Sequence, residues 1–303
     1  MSKATVFAPG SIGNVGPGFD VLGLAVEGIG DRVTVELTDG AARVAEVTGR
    51  DAELVPRDPA RNVASIAAAA WLRNAGIEKN AIVSIHKGLP LAGGIGGSAA
   101  SSVGGALAAC LAAGGDDDRN RLIAAALEAE STMAGPHLDN IAACVTGGLA
   151  LCRSVDPIDI VGITVQAPWS VVLLSPRVRI ETKQSRAILP RTWDSARWIQ
   201  QMANTSALLH AFATGDAELL RRSLDDRYAE PLRAPLIPNF YEVKQAALDA
   251  GALGSSISGG GPTIFAIVAG DADACAAAMK AAMSDVGADV HIASIAKNGA
   301  RHV

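Results

Sequence analysis

The sequence contains no run of about 18 apolar residues free of polar interruptions, so nothing in it reads as a membrane span. Its first residues, Met1 to Pro9, lack the basic start and long apolar stretch of a secretory signal. Cysteine is scarce: Cys110, Cys144, Cys152 and Cys275 are scattered without C-x-x-C spacing, which argues against a zinc site or a disulfide framework. Cys110 and Cys275 fall inside apolar helical patterns, where a cysteine serves as a small hydrophobe. There is no long basic run and the formal net charge is −5, so nucleic acid is not expected as the main partner. An acidic surface still leaves room for a locally positive pocket that takes a metal-bound phosphate. Internal repeats and low-complexity tracts are absent as well. These absences leave a soluble, cytoplasmic protein as the expectation. Its 303 residues suit two domains of about 150 residues each. With 49% apolar residues, 19% charged residues and 32 glycines, the chain fits a well-packed α/β enzyme and not a disordered or fibrous one.

Short strand signals stand at Thr5–Phe7 and Arg32–Leu37, the second alternating Val33, Val35 and Leu37 on one face. Between them Pro9–Gly18 reads as a loop. A helix is expected over Ala64–Ala75 and a strand over Ala81–His86, followed by a turn at Lys87–Gly88. Helices Ala99–Ala113 and Arg119–Met133 come next, and Gly147 and Gly148 open a strand at Leu149–Cys152. Asp156–Pro168 mixes Pro, Asp and Gly and marks the expected boundary, giving domains 1–160 and 161–303. Beyond it the order is strand Val171–Ser175, helices Ser195–Thr214, Asp216–Leu224 and Asn239–Ala250, then strands Gly254–Ser258 and Thr263–Val268. Helix Asp271–Val286 and strand Val290–Ile295 complete a β-α-β-β-α-β, ferredoxin-like order with helical insertions.

The richest segment is Pro90-Leu-Ala-Gly-Gly-Ile-Gly-Gly-Ser-Ala-Ala100, which runs into a small-residue helix. Gly93, Gly94, Gly96 and Gly97 let backbone N–H groups converge on an anion, and the helix N-terminus adds free donors and the positive end of its dipole. No Gly-Lys-Ser/Thr follows, so this is not a Walker A loop, nor is it the G-x-G-x-x-G of a Rossmann unit. A glycine-rich turn with close helix packing accounts for the same cluster. A second segment, Ser258-Gly-Gly-Gly-Pro-Thr263, joins two expected strands. It reads either as a hairpin connection or as a loop that lets a ligand approach the backbone.

Together these segments resemble the GHMP kinases. Pro9-Gly-Ser-Ile-Gly-Asn-Val-Gly-Pro-Gly-Phe-Asp20 resembles their first motif, Pro90–Ala100 the second and Ser258–Thr263 the third. Asn14-Val-Gly-Pro-Gly-Phe-Asp-Val-Leu-Gly-Leu24 and His137-Leu-Asp-Asn140 resemble the branch whose acceptor is homoserine, an intermediate of threonine biosynthesis. The resemblance implies an α+β, two-domain fold: an N-terminal domain with a left-handed βαβ unit and a ferredoxin-like C-terminal domain. It also implies ATP and Mg²⁺, and a homodimer.

Site residues follow from the same resemblance. It places Asn14, Asp20, His137 and Asp139 at the substrate, the two acids near its ammonium, although singly such residues are more often caps or turns. Arg186 and Arg233 align with the family's substrate arginines, whose planar forks suit a carboxylate. Arg221, Arg222 and Arg227 read as a solvated helix face. Thr182 and Asn140 match positions that orient the acceptor hydroxyl. Nucleotide contacts are expected from Pro90, Leu91, Ala92, Gly93, Gly94, Ile95, Gly96, Gly97, Ser98, Ala99, Ala100, Gly259, Gly260 and Gly261, and from Asn62 at the adenine. Ser98 and Glu130 match the metal side, with Glu128 as competitor, and an exposed helical glutamate is the plainer reading of Glu130. No aspartate and lysine pair of the mevalonate-kinase kind, able to act as base and orienter, is evident. The chain departs from the family pattern at Gly97 and Gly260, where a serine is usual. Each lost side-chain hydrogen bond is expected to weaken ATP binding by about 0.5–1.5 kcal/mol.

Overall fold

The computed structural model describes residues 2–116, 118–132 and 135–303, except for the side chain of Thr182. Its first sheet starts with β1 (Lys3–Gly13), antiparallel to β2 (Leu22–Thr38). Their register slips between Pro9 and Gly10, where proline has no N–H for the ladder. The chain continues through β3 (Arg43–Gly49), α1 (Val63–Asn74), β4 (Asn80–Lys87), α2 (Gly97–Ala112), α3 (Arg119–Ser131), α4 (Asp139–Thr146), β5 (Leu149–Val155) and β6 (Ile158–Ile163). The long β2 pairs with β5 at Leu22–Leu24 and with β4 at Arg32–Thr38. β3, α1 and β4 form a βαβ unit with parallel strands. On β4 the burial alternates residue by residue, as expected of a strand with one face in the core.

The second sheet holds β7 (Ser170–Pro176), then α5 (Thr182–Ala187), α6 (Ser195–Thr214), α7 (Ala217–Ser223), α8 (Glu230–Arg233), α9 (Phe240–Asp249), β8 (Gly254–Ile257), β9 (Ile264–Val268), α10 (Ala272–Ala282) and β10 (Ala288–Ser294). Its spatial order is β10-β7-β9-β8 with every pair antiparallel, which is the ferredoxin-like arrangement. The last strand, β11 (Arg301–His302), returns to the first sheet beside β1. Leu22, Leu24 and Ile141 of the first unit share one apolar core with Val171, Phe212 and Phe265 of the second, so the cleft between the sheets has a packed floor. No helix among the described residues is long and apolar enough to cross a membrane.

Helix starts follow from local chemistry. Asn62, Asp118, Asp194 and Asp271 each accept backbone N–H bonds at the head of their helix. The small residues of α2 serve packing: a Cβ at Gly105 would lie 2.2 Å from the Ala64 carbonyl, and one at Gly104 2.7 Å from Val33 Cγ2. Only glycine lets α2 nestle between α1 and the sheet.

Several elements differ from the sequence reading. Pro9–Gly13, expected as loop, is strand, because Gly10–Gly13 pair with Gly23–Val26. Half of the expected boundary stretch is β6, held by its ladder with β5. Strands β3 and β11 and the short helices α4, α5 and α8 were not anticipated. Their stability comes from pairing and capping by distant residues, which local pattern does not carry. The expected end of α3 at Met133 lies outside the described residues.

Candidate active site

The turn after β4 delivers the glycine segment onto the N-terminus of α2. Ala92, Gly94 and Gly96 all take left-handed backbone (φ 54, 78 and 69), so the loop curls over the helix start. The head of α2 has no side-chain cap, which leaves its first N–H groups facing the cleft. The third glycine segment holds the loop in place. Ser258 Oγ donates to the Gly94 carbonyl at 2.6 Å and Thr263 Oγ1 to that of Gly93 at 2.5 Å. A Cβ at Gly94 would lie 2.6 Å from the Gly261 carbonyl oxygen, so the segments interlock through backbone alone. This explains the three consecutive glycines better than a plain hairpin does.

Beneath the loop lies a buried ion pair that the sequence reading missed. Lys87, the last residue of β4, bonds Asp31 Oδ2 and also donates to the Gly97 carbonyl at 3.1 Å and Ser101 Oγ at 3.0 Å. Asp31 Oδ1 accepts the Gly88 and Leu89 N–H groups. Both side chains are almost fully buried. The only signal in the sequence was a lysine closing an apolar strand just before a glycine loop.

The pair expected on the metal side comes from α2 and α3. Ser98 Oγ donates to Glu130 Oε2 at 2.9 Å, and Glu130 Oε1 is buried with no hydrogen-bond partner among the described residues. Burial pushes the Glu130 carboxyl up to about 7, against the opposing pull of Ser98 and Lys87. An orphaned carboxylate oxygen beside a hydroxyl is a fitting pair of ligands for a hard cation that keeps waters and phosphate oxygens as its others. Glu128 is excluded from this role, because it pairs with Arg73 of α1 at 2.6 Å on the surface.

Across the cleft the predicted substrate residues converge. Gly23 and Gly13 admit the head of α4: a Cβ at Gly23 would lie 1.9 Å from the Asp139 carbonyl oxygen, and one at Gly13 2.5 Å from Asn140 Nδ2. Asp139 is buried; its Oδ2 accepts the Asn14 N–H at 3.1 Å and its Oδ1 that of Asn140 at 2.9 Å. Burial and, secondarily, the charge of Asp20 raise its carboxyl above the ordinary range. Asn14, in left-handed backbone, ties the loops together by donating to the Gly259 carbonyl and accepting the Asp20 N–H. Asn140 Oδ1 accepts from Ser11 Oγ, and a Cβ at Gly96 would lie 3.0 Å from that same oxygen. Asn140 therefore stands where the glycine loop meets the cluster around Asp139.

The second unit supplies the cations. Arg186 of α5 grips Asp20 with two parallel bonds of 2.7 and 3.0 Å, and His137 Nδ1 lies 3.4 Å from Arg186 Nη2. Arg233 of α8 donates Nε to the Ser185 carbonyl and Nη1 to that of Gly259. Burial and the neighbouring Arg186 hold its basicity below the usual arginine range. Asp226 fixes α8 by accepting the N–H groups of Tyr228, Ala229 and Glu230. Arg221, Arg222 and Arg227 are exposed, the first two on α7 and Arg227 in the bend beyond it, where it pairs with Asp225.

Two predicted residues stand apart. The Asn62 side chain is buried and committed to capping α1 and to the Pro56 carbonyl. The side chain of Thr182 lies outside the described residues, although its backbone opens α5. Pro90, Leu91 and Gly93 line a cavity of about 310 Å³ with Arg50, Asp51 and Arg179, and the Leu91 N–H donates to Asp51.

Comparison with known proteins decides the family. The family descriptions GHMP kinases N terminal domain and GHMP kinases C terminal match residues 62–148 and 208–285. A homoserine kinase of Chloroherpeton thalassium is 38% identical, with 99% of both chains covered. One from Arabidopsis thaliana is 40% identical over 86% of this chain and 73% of its own length. The crystal structure of homoserine kinase from Cytophaga hutchinsonii superposes with a TM-score of 0.94 at 37% identity, covering 100% of this chain and 98% of that one. The chain belongs to the GHMP kinase family, in its homoserine kinase branch. In GHMP kinase terms, the N-terminal match contains the phosphate loop, Glu130 and Asp139, and the C-terminal match contains Arg233 and the third glycine segment. The sequence reading did not single out Lys87, Asp31 or Ser11: beside these segments, Lys87 bonds Asp31 and the Gly97 carbonyl, and Ser11 bonds Asn140.

Proposed function

We propose that this chain transfers the γ-phosphoryl group of ATP to the hydroxyl of L-homoserine, giving O-phospho-L-homoserine. One observation carries the reading: two carboxylates, Asp20 and Asp139, and two guanidiniums, Arg186 and Arg233, are gathered beside a backbone-built phosphate loop. A small amino acid bearing a hydroxyl matches that set. Asp20 and Asp139 suit its ammonium, Arg186 and Arg233 its carboxylate, and Asn140 the hydroxyl at the loop's edge. The family resemblance assigns a share in orienting that hydroxyl to Thr182.

Phosphoryl transfer passes through a loose transition state, so positioning and charge stabilisation dominate. The loop's N–H groups and the α2 dipole stabilise the phosphates without side-chain reorganisation. Mg²⁺, held by Ser98 and Glu130, would supply neutralisation of the charge that develops on the phosphate oxygens. Asp31 and Lys87 lie under the loop with their bonding complete, so they serve as a foundation and not as base and orienter. The hydroxyl proton leaves to the phosphate or to solvent. The family resemblance also carries the expectation of a cytoplasmic homodimer, which a sedimentation measurement decides.

The test is ADP release by the purified protein with ATP and Mg²⁺, comparing L-homoserine, mevalonate, L-serine and no acceptor. Release that depends on homoserine and is lost in Arg233→Ala supports the reading. Release that is equal with mevalonate, or absent with homoserine, overturns it.

A further inference from the structure

Two like-charged guanidiniums come together here, Arg186 held by Asp20 and Arg233 by the Ser185 and Gly259 carbonyls, and both also approach one aromatic ring. That ring belongs to Phe19. The Cζ atoms of Arg186 and Arg233 lie 5.2 and 5.4 Å from the centroid of its ring, within the range of attraction between a guanidinium and an aromatic face. The ring is itself held. Tyr228 meets it edge-on with centroids 5.0 Å apart, and Tyr228 is fixed by its own N–H on Asp226 and its hydroxyl on the Pro190 carbonyl. On the backbone side Phe19 is pinned at both ends. A Cβ at Gly18 would lie 2.4 Å from Leu22 Cγ, and Asp20 is in left-handed backbone with its N–H on Asn14.

An aromatic face attracts a guanidinium without consuming its N–H groups, which lie in the plane of the fork. A hydrogen-bonding side chain at this position would compete with the ligand for those donors. An aliphatic one would fill the space without attracting either cation. Resting on the function proposed above, we propose that Phe19 is the positioning residue that aligns Arg186 and Arg233 as a carboxylate clamp and thereby sets the preference for acceptors that carry a carboxylate. Its ring contacts Arg186, Arg233 and Tyr228. Its effect belongs in the recognition of the acceptor, not in the phosphoryl transfer step.

The experiment compares wild type, Phe19→Leu, Phe19→Tyr and a protein with pentafluorophenylalanine at position 19. Acceptors are L-homoserine and 3-aminopropan-1-ol, which is homoserine without its carboxylate. Two ring contacts, each giving a factor of about 2 to 5, predict a rise of about tenfold in the homoserine KM of Phe19→Leu. Its kcat and its KM for ATP stay within about twofold, and Phe19→Tyr restores the wild-type KM. The preference for homoserine over aminopropanol narrows by the same factor as the KM rise. The fluorinated ring keeps the shape and reverses the charge of the face, so it reproduces the leucine defect even if Phe19→Leu fails to fold. A fluorinated protein with unchanged homoserine KM overturns the inference. So does a Phe19→Leu enzyme whose kcat and KM for ATP change together with its KM for homoserine. Absence of any homoserine turnover in wild type is a different result: it removes the function itself and not merely the role of Phe19.

Discussion

Replacing Lys87 by methionine strips a buried carboxylate of its counter-charge while keeping the length of the side chain. Asp31 would retain three donors, the Gly88 and Leu89 N–H groups and the Ser101 hydroxyl, so the loss falls at the lower end of what breaking a buried pair costs, about 3 kcal/mol. Asp31→Asn alone leaves the Lys87 ammonium without a partner charge and should cost a similar amount. The double variant contains neither charge. Because the single penalties arise mostly from an uncompensated ion, the double should lose about 2–3 kcal/mol less than the sum of the singles. Denaturant unfolding of the four proteins measures this directly. A second readout follows from the bond between Lys87 Nζ and the Gly97 carbonyl, which anchors the first turn of α2. Its loss should raise the KM for ATP in both Lys87 variants, whether or not Asp31 is neutralised. If the two substitutions add to within about 0.5 kcal/mol, the pair is not coupled and the foundation argument fails.

Other outcomes follow from single contacts. Burial raises the Glu130 carboxyl from the ordinary 4.5 to about 7, so the folded protein binds a proton that the unfolded chain has lost, and stability in metal-free buffer falls as pH rises through that window. Glu130→Gln should remove this slope and melt higher than wild type at pH 8; melting curves that stay parallel from pH 5 to 8 refute it. At Gly97 a Cβ would lie 3.2 Å from the Pro90 carbonyl oxygen and 3.8 Å from Lys87 Nζ, in ordinary backbone, so a serine fits after a small shift. Gly97→Ser should lower the KM for ATP by about 2- to 10-fold through one added donor, and an unchanged KM removes the account of that departure.

Much of the fold was readable because its signals are local. The helix Ser195–Thr214 matches its expected bounds, with Asp194 capping the start and Gly215 closing the end. The four strands of the second sheet also fell close to where they were expected, two of them at the short apolar runs Val171–Leu174 and Ile264–Val268. What escaped was held by partners far along the chain. β11 is two residues long and exists because Val6 and Phe7 offer a free edge. The helix α8 is only four residues long, and Asp226 holds its start by accepting the Ala229 and Glu230 N–H groups. The same division runs through the site. Glycine loops announce themselves, and the family resemblance named Asn14, Asp20, His137, Asp139, Arg186 and Arg233, which the fold gathers at one cleft. Lys87 and Asp31, 56 positions apart, carry no mark in the sequence that they meet.

The charge balance of the cleft bears on which alcohol it accepts. With two carboxylates and two guanidiniums the ligand-free site sums to zero, and Asp20 and Arg186 neutralise each other by direct contact. Binding a zwitterion is then an exchange: an ammonium takes up part of the carboxylate's bonding and a carboxylate part of the guanidinium's, with no net charge left over. An acceptor bearing only a carboxylate would draw Arg186 from Asp20 and leave that acid facing the already buried Asp139, a like-charge contact at low dielectric. One bearing only an ammonium would draw Asp20 from Arg186 and supply no carboxylate to either guanidinium. Discrimination therefore rests on what each wrong ligand leaves unpaired as much as on what the right one gains. It also predicts that added salt weakens ATP binding, where a polyanion meets fixed N–H donors, far more than it weakens homoserine binding, where ion pairs are exchanged one for one. KM values for both substrates measured between about 0.05 and 0.5 M potassium chloride decide the point, and a homoserine KM that climbs as steeply as that for ATP would contradict the exchange.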